Sequence, residues 1–190
     1  MSIRTLRSHD GGKPYRNDKQ WGVLFDLDET LVLTSALEGL RRARNWPAVY
    51  GRFAETLLPK GTREFLEELA ESALLGVVTK SQRTYAQKLL SHHQIDIPVL
   101  VAYHDVRKQK PDPEGLLKAA AKLGLPPERC IYVGDHPDDL VAGDRAHCRP
   151  ILVCWTKHDK TAPTCGAFHC WEDVFHEIKK ITGGGNGEDL

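Results

Sequence analysis

Asp26 and Asp28 stand two residues apart directly after the apolar run Gly22-Val23-Leu24-Phe25. In extended chain, residues at i and i+2 point to the same side, so the two carboxylates repel unless a cation or a shifted pKa relieves them. Acidic residues also follow strands merely as helix caps, but this pairing after an apolar run favours chemistry. A second segment, Val77-Val78-Thr79-Lys80-Ser81, places a hydroxyl at the start of a helical pattern, where exposed backbone N–H groups attract anions. Lys80 adds a cation beside it, although Ser and Thr cap helices widely. In Lys110-Pro111-Asp112-Pro113 a lysine is fixed by two prolines just before a helix, the plain alternative being a solvated lysine in a rigid turn. The fourth segment, Val133-Gly134-Asp135-His136-Pro137-Asp138-Asp139, turns tightly at a glycine and aims Asp135 at the same rim as Asp26. Several carboxylate oxygens converging there suit a hard cation such as Mg²⁺.

The elements that must position these groups are short apolar runs separated by amphipathic stretches. Strands are predicted at 22–25, 75–79, 99–102, 131–133 and 151–154, all continuous apolar runs of the kind covered on both faces. Helices are predicted at 62–71, with Phe65, Leu66 and Leu69 on one face, at 81–92 behind a Ser81 cap, and at 113–123 opened by proline. Five strands alternating with helices give an α/β fold built on a doubly wound, mainly parallel five-stranded sheet. In such sheets a ligand lies beyond the carboxyl ends of the strands, where the four segments fall.

Composition removes several classes of protein. The 190 residues carry 26 Lys plus Arg against 26 Asp plus Glu, which excludes a global polyelectrolyte. With 41% hydrophobic and 27% charged residues the chain is an ordinary globular protein, long enough for one domain. Apolar runs of four or five residues do not span a bilayer, and the polar first twenty residues lack the apolar core of a secretory signal. Five scattered cysteines point to a reducing cytoplasm rather than a disulfide framework. Residues 1–20 read as a flexible basic arm of net charge +3, residues 21–182 as one domain, and residues 183–190 as a disordered tail.

Taken in order, Asp-x-Asp-x-Thr, then Thr, then Lys-Pro, then Gly-Asp-x-x-x-Asp, each at a strand end, resemble the haloacid dehalogenase superfamily of phosphatases. The Lys110-Pro111-Asp112-Pro113 phrase and the stretch Gly134 to Gly143 are similar to its phosphoglycolate phosphatase-like branch. The resemblance implies that Asp26 is a nucleophile forming an aspartyl-phosphate, and that Asp28 is the general acid and then the general base. It further implies that Thr79 and Lys110 hold the phosphoryl group. Mg²⁺ would be bound by Asp26, the main-chain carbonyl of Asp28, Asp135 and Asp139, the last as ligand or outer support. His136 stands where relatives often carry a small polar residue, so it either contacts substrate or merely lines the rim.

In this branch a helical cap usually follows the first motif, and here only residues 34–60 are available for it. At 1.5 Å per residue they allow about two short helices, hence a reduced cap and an open site. Ala36, Leu37, Leu40 and Ala43 form an apolar stripe, with Arg41, Arg42 and Arg44 off it and Trp46, Tyr50 and Phe53 following. This insert sums to +3. Arg41 and Arg42 are therefore candidate substrate contacts, and arginines interleaved with aromatics would suit a nucleic-acid end. The competing reading packs the aromatics onto the core. The function expected is thus hydrolysis of a small phosphate ester or nucleotide. The alternatives are a phosphatase of nucleic-acid ends or phosphoproteins, and a binding protein that has lost catalysis. A phosphomutase is disfavoured because it needs an enclosing cap. Cys154, His158, Cys165, His169 and Cys170 crowd together, but without zinc-finger spacing.

Overall fold

The computed structural model describes residues 19–155 and 166–183. The basic arm, apart from its last two residues, and the tail after Gly183 lie outside the described residues, as do His158 and Cys165. Five strands, β1 (Gly22–Phe25), β2 (Leu74–Val78), β3 (Val99–Val101), β4 (Cys130–Gly134) and β5 (Arg149–Leu152), form one sheet in the order β3-β2-β1-β4-β5. Every pairing is parallel. The chain steps outward from β1 to β3 on one side and then returns to place β4 on the other. The crevice at this reversal lies above the end of β1.

The described residues form seven α-helices: α1 (Glu38–Arg42), α2 (Trp46–Gly51), α3 (Thr62–Ser72), α4 (Arg83–His92), α5 (Glu114–Leu123), α6 (Pro137–Arg145) and α7 (Trp171–Gly183). Successive β1 side chains alternate between the faces. Val23 and Phe25 join Phe65, Leu69, Tyr85, Leu89 and Trp171 under α3, α4 and α7. Leu24 joins Leu116, Ala120, Ala142 and Ala146 under α5 and α6. Coverage on both faces explains why the strands read as continuous apolar runs.

Two boundaries differ from expectation for identifiable reasons. β5 begins at Arg149 rather than Ile151, and it includes Pro150 because it is an edge strand whose outer N–H needs no partner. α4 begins at Arg83 rather than Ser81 because the Ser81 hydroxyl is engaged with Asp28 instead of capping. α6 and α7 were not among the predicted helices. Between β1 and α3 the insert holds two short helices, α1 and α2, as its length allows. Its base is closed by an antiparallel bridge in which Leu33 N–H donates to Leu57 O at 2.8 Å and Leu57 N–H to Leu33 O at 3.2 Å. Leu37 and Leu40 of the apolar stripe face inward, whereas Ala36 and Ala43 are exposed.

Candidate active site

The strand ends converge as the sequence pattern requires. Asp26 N–H donates to Val133 O at 2.9 Å, so the sheet continues one residue past β1 and fixes Asp26 between β2 and β4. Thr79 N–H does the same to Val101 O at 2.9 Å. The Thr79 hydroxyl accepts from Ser81 N–H at 3.0 Å, which leaves its own proton to be donated to a ligand. Gly134 is required by close approach: a Cβ there would lie 2.5 Å from the Asp139 side chain.

Lys110 reaches this centre from the turn before α5 and is buried. Its Nζ lies 2.9 Å from Asp26 Oδ1 and 2.7 Å from Asp139 Oδ1. Its hydrogen bonds go to the Tyr132 hydroxyl, 2.7 Å, and more weakly to Val78 O, 3.4 Å. Asp26 Oδ1 therefore has an ion-pair partner but no hydrogen-bond donor, although it is buried. Burial opposes the charge on Lys110, and the Asp26 and Asp139 carboxylates more than offset it, so its pKa is raised.

The carboxylates outnumber this one lysine. Burial pushes Asp26 up to about 7; Lys110 pulls against the rise, and the charges of Asp139, Asp135 and Asp28 add to it. Burial likewise pushes Asp135 up to about 6, partly restrained by the hydrogen bond its Oδ1 accepts from the Thr30 hydroxyl at 2.9 Å. One oxygen each from Asp26, Asp135 and Asp139 lie within 4.8 Å of one another, the one such metal-capable group among the described residues. An all-oxygen donor set, an orphaned buried oxygen and an excess of negative charge together fit a hard divalent cation. Asp139 gives Oδ1 to Lys110 and Tyr132 and takes His136 N–H on Oδ2 at 3.0 Å, so it braces the site at least as much as it offers a free oxygen.

Asp28 faces the other way, towards the insert, and its side chain is not part of the metal-capable group. Its Oδ1 accepts from the hydroxyls of Thr34 at 2.9 Å and Tyr85 at 2.8 Å and pairs with Arg41 Nη1 at 2.7 Å. Its Oδ2 accepts from the Ser81 hydroxyl at 2.6 Å. Arg41 is thus brought into the site, but Arg42 is not: it is exposed and pairs with Glu38 one turn back. Lys80, beside Thr79, is paired with Asp138 at 2.7 Å. His136 is 64% exposed and caps α6, its Nδ1 accepting from Asp138 N–H at 3.1 Å.

Tyr85 and Tyr132, which the sequence pattern places only within a helix and an apolar strand, supply hydroxyls to Asp28 and to Asp139. A tyrosine in an apolar strand is itself a signal, because a buried hydroxyl must find a partner. Trp46, Tyr50 and Phe53 pack as a chain of rings onto Tyr85, with centroids 5.8–6.3 Å apart, and so serve the core. Of the Cys/His-rich segment, His169 Nδ1 lies 2.6 Å from Cys154 O.

The class defined by this fold and site is confirmed by comparison with known proteins. The haloacid dehalogenase-like hydrolase family model matches residues 44–153, and the chain belongs to that family. The phosphoglycolate phosphatase of Salmonella paratyphi A is 36% identical over 130 residues, covering 66% of this chain and 51% of the relative. The pyrophosphatase PpaX of Oceanobacillus iheyensis is 35% identical over 140 residues, covering 70% of this chain and 61% of the relative. The chain therefore spans about half to three-fifths of the length of these curated relatives. In fold it is similar to the crystal structure of a predicted phosphoglycolate phosphatase from Haemophilus somnus, with TM-score 0.69 and 20% identity, covering 85% of this chain and 100% of that one. No helix among the described residues is long and apolar enough to cross a membrane.

Proposed function

We propose that the chain is a Mg²⁺-dependent phosphomonoesterase for small phosphate esters, working through an aspartyl-phosphate on Asp26. The observation that carries this reading is the convergence on Asp26, at the end of the central strand, of Lys110, Asp135 and Asp139, with Asp28 two residues on. Family membership and relatives named for phosphoglycolate and pyrophosphate hydrolysis support it.

A carboxylate oxygen of Asp26 attacks phosphorus as the ester P–O bond breaks, and Asp28 gives its proton to the departing oxygen. Water then attacks phosphorus, Asp28 takes up its proton, and the bond to Asp26 breaks to release orthophosphate. Lys110 offsets charge between the nucleophile and the phosphoryl group, and Thr79 donates its free hydroxyl proton to a phosphoryl oxygen. Asp26, Asp135, the Asp28 carbonyl and Asp139 would hold Mg²⁺, which supplies the positive charge that lets an anionic nucleophile approach an anionic ester. The open rim left by the short insert admits the substrate.

Phosphate release with Mg²⁺ from small esters, 3′- and 5′-phosphorylated oligonucleotides and a phosphopeptide tests the reading. Turnover of small esters that is lost in a folded Asp26→Asn variant is expected. Turnover retained in that variant, or none by the parent protein, overturns it.

A further inference from the structure

We infer that Arg41 is a specificity-determining residue that reads an anionic group on the leaving side of the substrate, an inference that rests on the phosphatase reading above. Among the described residues Arg41 is the one cation paired with Asp28, and it comes from α1 of the insert. Its neighbours Arg42 and Arg44 point to solvent, so its inward placement does not follow from a generally basic helix. Nη1 also donates to the Thr34 hydroxyl at 3.0 Å and Nη2 to the Ser81 hydroxyl at 3.1 Å, while the guanidinium carbon lies 4.9 Å over the Tyr85 ring. These contacts fix the plane of the group.

A guanidinium carries five N–H donors, and the three contacts to Asp28, Thr34 and Ser81 leave donors for a further acceptor. The side chain is 26% exposed, so those donors are within reach of a ligand. On the proposed reading Asp28 meets the leaving oxygen, so whatever is attached to that oxygen lies against Arg41. A carboxylate or second phosphate a bond or two beyond the ester oxygen then meets a planar, oriented fork suited to bidentate pairing. An uncharged alkyl group there gains nothing. The substrate class is a phosphate ester or anhydride whose leaving group is itself an anion.

The ester pair 2-phosphoglycolate and ethyl phosphate differs chiefly in that second anion. The parent protein should prefer 2-phosphoglycolate in kcat/KM, and Arg41→Gln should lower that preference by at least about tenfold, mainly through KM. Arg41→Lys, which keeps the charge without the fork, should restore part of it. Arg52→Gln, on an exposed pair with Glu55, should leave the ratio as it is. A second readout needs no turnover: calorimetric binding of both esters to the Asp26→Asn protein, with and without Arg41→Gln. A ratio unchanged in folded Arg41→Gln and Arg41→Lys proteins overturns the inference while leaving the phosphatase reading intact. If neither ester is hydrolysed, the phosphatase reading fails, and the binding ratio alone decides whether Arg41 reads the anion.

Discussion

Replacing the proposed nucleophile should stabilise the metal-free protein while abolishing turnover. The native environment lifts the Asp26 carboxyl from 3.8 to about 7. Between these values the native state binds the proton more tightly than the unfolded chain, so the stability associated with Asp26 is full below pH 4 and is lost as pH rises through 7. At pH 8 the charge costs the fold about 4 kcal/mol, at roughly 1.4 kcal/mol per pKa unit. In Asp26→Asn that cost, which is already net of the attraction to Lys110 Nζ at 2.9 Å, disappears, but an amide remains buried. A net gain of about 1–3 kcal/mol follows, or a rise of roughly 2–10 °C in midpoint for a chain of this size. At pH 4.5 native Asp26 is protonated and the charge cost falls to about a quarter, so the gain should vanish or reverse. His93, whose buried ring is pushed down to about 4, has the opposite pH slope, and comparing both proteins at each pH cancels it. Thermal unfolding in EDTA at pH 8 and pH 4.5 measures the difference. Added Mg²⁺ should raise the parent midpoint more than that of the variant. A variant less stable than the parent at pH 8, or one whose shift is the same at both pH values, would refute the electrostatic account of the site.

Lys110→Met removes the cation that pairs with both Asp26 and Asp139 and should cost about 3–5 kcal/mol in urea unfolding at pH 8 without metal, because two buried carboxylates lose their partner. A loss under about 1 kcal/mol would show that the carboxylates are neutral or solvated. Gly134→Ala drives a Cβ to 2.5 Å from the Asp139 side chain. Mg²⁺ affinity measured by calorimetry should fall by about tenfold or more, and unchanged affinity would show that Asp139 braces nothing.

The sheet and the strand ends were legible because each rests on a local pattern. Val23-Leu24-Phe25 and Ile131-Tyr132-Val133 are apolar without interruption, and Asp26 and Asp135 follow where a buried strand must surface. What the sequence did not show depends on long-range meetings. Ser81 reads as a helix cap from its neighbours, yet it is engaged by Asp28, 53 residues earlier. Arg41, Arg42 and Arg44 are equivalent as composition, and only the turn of the five-residue α1 against Tyr85 decides which one is inside. The Tyr132 hydroxyl, within an apolar strand, bonds Lys110 and Asp139 on two different elements.

The insert is short by the measure of a cap, but its length understates what it does. The Leu33–Leu57 bridge ties its ends together, so closing the loop requires no further chain. Trp46 and Phe53 then pack on Tyr85, whose hydroxyl holds Asp28 at 2.8 Å. Packing and chemistry therefore meet in one side chain: whatever anchors the insert also orients the carboxylate beside it. Thr34 and Arg41 complete the same cage from the insert itself. A larger cap can orient an acid by closing over it, whereas here orientation exists already in the folded ground state, and closure is not needed to obtain it. On the proposed reading, selectivity then comes from contact rather than enclosure, with the group next to the departing oxygen meeting a guanidinium that the aromatic packing has already set in place.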